Sequence, residues 1–416
     1  MSAATSTTFD ALLKQIWPQS DIYDLLYENM PAYALVKKST DFFEKIRNIA
    51  VGYGATQGAG ADFTTAKAAK APSKEVAFQI STVSYYSLFS VTRKLIRQSQ
   101  NKRGAIAAAL ERESTLALKT WKRDMGYLLF GNGGGSIGQV ASGQTTSAVT
   151  LSTLSDVRKF EINMQLQVAS DDGSAASPAG ARPGFVTVGS IDRLNGIITI
   201  TSGNWSDAGN IPAIQANDYI FRAGNYASCI KGFAGWLPAS NPSGTDSWFG
   251  VNRSTDVFRL GGVRKTVTGL SPREGLMTLA MECFNNGGAP THEFRHTADY
   301  LNLQLELQSA GNLTVTREMA EKPAGEPFGI PFEGLSVVGP TGPIKVFPDY
   351  NCKQGYDYML QLDTWTLAGT GDFPYIDAQD GNRILREESA DSYEGRIVGD
   401  LQFYCEAPGY NVAGTL

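Results

Sequence analysis

Both histidines of the chain fall in one short stretch, His292-Glu293-Phe294-Arg295-His296, which fits the pattern H-E-x-x-H. On a helix that spacing sets two imidazoles on one face, where they bind zinc while the glutamate activates water. Three features oppose that chemistry here. Gly287-Gly288-Ala289-Pro290 breaks any helix just upstream, and Thr297 reads as the cap of a helix that starts afterwards. If residues 291–295 form a strand, the two side chains do not meet at helical spacing. A third ligand is also missing, since no further histidine exists and only Glu306 offers itself. A zinc hydrolase using His292 and His296 is therefore the weaker reading.

Other motifs are weaker still. Gly133-x-Gly135-x-x-Gly138 matches GxGxxG, but it follows a helical pattern and precedes strands, the reverse of a dinucleotide-binding turn. No GxxxxGK[ST] occurs. Cys229, Cys283, Cys352 and Cys405 lie far apart, make no CxxC pair, and read as reduced buried thiols. The N-x-S/T sites at Asn204, Asn252 and Asn312 matter only in a secreted protein, and Glu387-Glu388 reads as a solvated turn. The sequence thus calls for no catalytic residue, metal or cofactor.

The elements around these residues say more. At 416 residues, the chain is long enough for two or three domains. A composition of 42% hydrophobic and 19% charged residues is that of a globular protein, and 44 glycines with 17 tyrosines lean toward β structure with many turns. A net charge of −5 gives no global case for binding nucleic acid or an anionic membrane. The N-terminus lacks the pattern of a signal peptide, and no apolar run is long enough to span a bilayer.

After a small polar tip, Ser2–Thr8, Phe9, Leu12, Leu13, Ile16 and Trp17 form a helical stripe, and Asp21–Asn29 predicts a second short helix. Residues 45–92 switch to period two, with Ile49, Val51 and Tyr53 on one run and Val76, Phe78, Ile80 and Thr82 on the next. The Gly-, Ala- and Lys-rich stretch Gly52–Lys74 between them predicts a projecting hairpin with a flexible tip. Asn101–Phe130 is the longest helical pattern, about 40–45 Å if unbroken. Ile106, Ala109, Leu110, Leu116, Ala117, Trp121, Met125 and Leu128 take one face; Glu111, Arg112, Lys119, Lys122 and Arg123 largely take the other.

Beyond the glycine run, Ala148–Leu151, Phe160–Val168, Phe185–Asp192, Ile197–Thr201 and Tyr219–Ala223 read as strands, with Asn195-Gly196 as a hairpin turn. Ser271-Pro272-Arg273-Glu274 is a capping box, and a further helix runs from Thr297 to about Ser309 with Tyr300, Leu301, Leu305 and Gln308 inward. Leu335–Val338, Ile344–Phe347, Tyr356–Leu367 and Glu394–Glu406 close the chain as strands.

Taken in order, these pieces resemble a tailed-bacteriophage major capsid protein of the Hong Kong 97 type. The residues that carry the likeness are Gly52–Phe63 leading into Pro72–Ser87, then Ile230–Pro238, Phe249–Gly262 and Pro290–Phe294. The resemblance implies an α+β capsid fold with an N-arm (1–44), an E-loop hairpin (45–100) and a spine helix opening the P domain (101–137). It further implies an inserted β-rich subdomain (138–228), a connection between the P and A domains (229–261), an A domain (262–334) and closing strands (335–416). It implies self-assembly as pentamers and hexamers into an icosahedral shell enclosing double-stranded DNA without sequence-specific contacts. Portal, scaffolding or decoration proteins would be partners, with no membrane, and the chain would assemble in the host cytoplasm and reside in the virion. Phe63, Lys67, Lys70, Lys74, Val76, Phe78 and Ile80 would meet a neighbouring copy, while Leu110 and Trp121 pack the spine helix. An encapsulin-type nanocompartment is the alternative of the same fold, and a β-rich tail or adhesion protein is a further one.

Overall fold

The computed structural model describes residues 30–99, 109–175, 177–311, 314–319, 331–378, 384–388 and 390–416. The helices expected before Met30, the first turns expected from Asn101 and the Asn312 site lie outside these residues. The described chain opens with α1 (Pro31–Leu35) and β1 (Lys37–Ser39). A separate antiparallel hairpin follows, β2 (Arg47–Gly54), α2 (Phe63–Ala68) and β3 (Lys74–Ile80). Then come β4 (Val83–Thr92), α3 (Arg93–Ser99) and α4 (Ala109–Leu129). Val83–Thr92, expected to continue the hairpin, instead belongs to a different sheet.

Six strands next close a barrel: β5 (Ser136–Ser142), β6 (Ala148–Leu151), β7 (Gln165–Ala169), β8 (Val186–Asp192), β9 (Ile197–Ile200) and β10 (Tyr219–Arg222). Their spatial order is β10-β5-β6-β9-β8-β7. The strand expected from Phe160 begins only at Gln165, because Asn163 adopts a positive φ of 66° and Phe160 turns into the core. Chain entry and exit lie side by side, with the Ala227 amide donating to the Gly134 carbonyl at 3.0 Å. A Cβ on Gly134 would lie 1.8 Å from the Asp172 carbonyl oxygen, so the glycine run serves this crossing.

Short helices α5 (Phe233–Trp236) and α6 (Val257–Gly261) lead to β11 (Val263–Thr266), α7 (Pro272–Asn285), β12 (His292–Arg295) and α8 (Thr297–Ser309). β13 (Val315–Met319), β14 (Pro331–Val338), β15 (Pro343–Pro348) and β16 (Tyr356–Leu360) follow, then β17 (Trp365–Gly369), β18 (Tyr375–Ile376), β19 (Leu385–Arg386), β20 (Ser392–Cys405) and β21 (Val412–Thr415). A seven-stranded sheet runs β11-β21-β16-β12-β15-β14-β13. A six-stranded sheet runs β1-β17-β20-β18, with β4 and β19 also paired to β20. The apolar run from Tyr356 to Leu367 is therefore two strands in two sheets.

Two apolar clusters hold these layers. The larger joins α4, the barrel and the six-stranded sheet; the smaller lies between α7, α8 and the seven-stranded sheet. Ser271 caps α7 as expected, accepting from the Glu274 amide. His296, not Thr297, caps α8, through Nδ1 and the Ala298 amide at 3.2 Å. On α8 the buried residues are Leu303 and Leu307, whereas Leu301 and Leu305 are exposed. Both pairs satisfy helical spacing, and contact with α7 and the sheet selects one of them.

The described part of α4, 21 residues, spans about 30 Å. Trp121, Met125 and Leu128 are buried as the pattern predicts. Trp121 lies on the long β4–β20 pair, its Nε1 donating to the Tyr85 carbonyl at 3.1 Å. Gly399 permits that approach, since a Cβ there would meet Trp121 Cζ2 at 2.5 Å. Leu110, nearer the helix start, is half-buried against the same cluster. Arg123, expected outward, is buried: it pairs with Asp124 and reaches Glu161 at 2.9 Å. Asp124 also binds the Tyr85 hydroxyl at 2.8 Å and Arg222 of β10, so this polar knot ties the barrel to α4.

Candidate assembly surface

The hairpin alternates because one face must find cover. Ile49↔Phe78 and Val51↔Val76 pair across it on that face, while Asn48↔Gln79 and Ala50↔Ala77 occupy the other. A two-stranded ribbon is marginal by itself and must dock. Its base does so: Phe78 and Ile80 are fully buried, and Phe78 meets Trp236 edge-on at 5.1 Å between ring centres. The Gln79 amide donates to the Phe249 carbonyl at 2.9 Å, and Arg259 of α6 donates to the Tyr53 carbonyl. Trp236 and Phe249 thus form a seat that the sequence did not reveal, because both lie far along the chain. Phe78 and Ile80, expected to meet a neighbouring copy, are already inside this chain's core.

The tip is different. Val76 is half-buried, but Lys67, Lys70 and Lys74 are exposed and Phe63 is 78% exposed. Where a flexible tip was expected, α2 forms one short helix. Asp62 caps it, accepting from the Thr65 amide and hydroxyl at 2.7 Å each. The Thr65 hydroxyl, more than its amide, holds the Asp62 carboxyl below the usual range. A bridge between Gln57 and Ala71 closes the loop beneath it. The result is an aromatic ring and three lysines on a ribbon fixed at its base. Phe43 and Ile46, just before β2, are also exposed large apolar residues that the period-two pattern did not single out.

The chemical motifs resolve into structural roles. His292 lies on β12, its ring near-parallel to those of Phe294 and Phe347, and its Nδ1 lies 2.9 Å from the Thr291 hydroxyl. His296 caps a helix, so the two imidazoles share no helical face. Among the described residues, no group of three or more His, Cys, Asp or Glu side chains could hold a metal ion. All four cysteines are free and buried, and burial pushes the Cys229, Cys283 and Cys405 thiols up to about 12. Such thiols are poor nucleophiles. No described helix is long and apolar enough to cross a membrane.

No family model and no curated protein matches the sequence. Among solved structures, the chain superposes on one from the Cyanophage A-1(L) capsid asymmetric unit with a TM-score of 0.56 and 11% identity, covering 99% of each chain. The chain shares the fold of that structure. At this identity the likeness is one of architecture, and it runs over the whole chain rather than one layer of it. The holo-SrpI encapsulin of Synechococcus elongatus PCC 7942 gives a TM-score of 0.47 at 5% identity, over 100% of this chain and 96% of that one. A structure of Mycobacterium phage Bobi gives 0.46 at 7% identity, over 100% and 99%.

Proposed function

We propose that this chain is a shell-forming structural protein whose copies assemble as pentamers and hexamers into an icosahedral head around double-stranded DNA. The observation that carries the reading is the hairpin, fixed at its base and exposed at its tip, within a fold shared end to end with a phage capsid chain. In this reading β2–β3 is the E-loop, α4 the spine helix and residues 1–44 the N-arm. The seven-stranded sheet with α7 and α8 is then the A domain, and the barrel is the inserted subdomain. Phe63, Lys67, Lys70, Lys74 and the open side of Val76 meet the next copy; Phe78 and Ile80 anchor the strap to its own body. Apolar burial at about 25 cal/mol per Å², repeated at every contact, makes a closed shell stable although each contact is modest. No catalytic step is involved. Portal, scaffolding or decoration proteins are its partners, and the virion, assembled in the host cytoplasm, is its location.

Negative-stain electron microscopy of the expressed protein, alone and with a scaffold, tests this. Closed uniform particles are expected; a monomer that persists at high concentration in both preparations counts against it. Particles from the native source that hold an enzyme and no genome would turn the reading to a nanocompartment.

A further inference from the structure

The helix-covered face of β12 carries two ionisable residues where apolar ones would be expected. Glu293 and Arg295 sit two apart on that face, and Asp357 of β16 lies directly opposite Arg295. All three are fully buried. One nitrogen, Arg295 Nη2, serves both carboxylates, at 2.6 Å to Glu293 Oε1 and 2.5 Å to Asp357 Oδ2. Glu293 Oε2 and Asp357 Oδ1 have no donor among the described residues, and Arg295 Nε and Nη1 have no acceptor. The facing elements also carry Asp299, Tyr300 and Glu306 of α8, Arg273, Glu274, Glu282 and Cys283 of α7, Cys352 in the turn before β16, and the C-terminal carboxylate of Leu416, which shares a cavity with Arg295 and Asp299. Arg273, the one cation on these two helices, is exposed and supplies no buried partner. Asp299 adds a negative charge and is itself held by the Gly355 amide at 2.9 Å.

One guanidinium therefore faces two buried carboxylates with a third nearby. Two buried like charges sharing one site cannot both stay ionised without a large cost. We propose that Asp357, sharing the single Arg295 nitrogen with Glu293, stays protonated at neutral pH, which makes the joint between β12, β16 and α8 sensitive to alkali. The proton turns one orphan oxygen into a donor and leaves a single carboxylate for Arg295, so the buried charges balance. Burial lifts the Asp357 carboxyl well above the ordinary aspartate range; Arg295 opposes this and Glu293 reinforces it. A carboxyl raised on folding stabilises the fold fully below its unfolded value, and that stabilisation is lost as pH rises through the folded value. The smaller core, seated on this face, is thus the part that alkali loosens. The inference does not depend on whether the chain forms a shell.

Infrared difference spectra of the full chain and its Asp357→Asn variant at neutral pH test the proposal. Asp349, the other buried carboxyl raised toward neutrality, is common to both and cancels. The expected difference is the loss of a protonated-carboxyl band, and Glu293→Gln should lose the same band because Asp357 then faces Arg295 without a competing carboxylate and ionises. In parallel, the unfolding midpoint should fall with rising alkaline pH in both chains, since Asp349 and the buried thiols contribute to both, but less steeply in Asp357→Asn than in the unsubstituted chain. A difference spectrum in which only an ionised carboxylate disappears overturns the proposal. So does an equal alkaline fall in Asp357→Asn. If neither variant folds, the unsubstituted chain decides: a protonated-carboxyl band that outlasts the titration of Asp349 is expected, and its absence refutes a protonated Asp357.

Discussion

Asp349 is a buried carboxyl at the foot of α1, accepting from the Ala32 amide at 3.2 Å and the Asn351 amide at 2.9 Å. Burial pushes it up to about 7, and those two amides only partly oppose the rise. Its neutral form is thus the one the fold favours. Stability from this group is complete below the unfolded aspartate value, about 3.9, and is lost as pH climbs through about 7. Denaturant unfolding should show the chain less stable above neutrality than in mild acid, and Asp349→Asn should reduce that difference. An unchanged pH profile in the variant would remove Asp349 from the account. Trp121 gives a second test at this scale. It is wholly buried and keeps its indole N–H satisfied, so Trp121→Ala should cost about 3–5 kcal/mol in the same assay.

The hairpin makes its prediction as an element, because base and tip should separate. Phe78→Ala removes a core ring set against Trp236 and should cost about 3–5 kcal/mol of chain stability. Phe63→Ser touches an exposed tip and should change stability by no more than about 0.5 kcal/mol. Combined with Lys67→Glu, it should nonetheless lower the yield of particles, read by sedimentation. Particles formed at normal yield would take the tip out of the interface. The strand alternation was legible in the sequence, and so was the projection between the runs. The ownership of Phe78 was not, since alternation reports that a face needs cover and is silent about which chain provides it. Arg123 fails in the same way: its position on α4 looks like a solvated face until Glu161 and Asp124 are brought to it.

For the whole molecule, the barrel is closed on itself yet joined to the body by the knot of Arg123, Asp124, Arg222 and Tyr85. Asp124→Ala would strand the Arg222 guanidinium at that joint and leave Arg123 with Glu161 alone. Hydrogen exchange should then quicken at the β10 end and at the last turn of α4, while β8 and β9 keep their protection. Uniform loss of protection throughout the barrel would mean that the barrel does not hold together without the knot. What the sequence determined alone was local: the capped start of α7, the Asn195-Gly196 hairpin and the period of α4. Each depends on neighbours within a few residues, where sterics and hydrogen bonding leave few choices. Tertiary structure alone decided closure of the barrel, the choice of Leu303 and Leu307 over Leu301 and Leu305, and the burial of Glu293, Arg295 and Asp357 together. Those outcomes rest on surfaces arriving from remote parts of the chain, and no local period encodes what will cover a face.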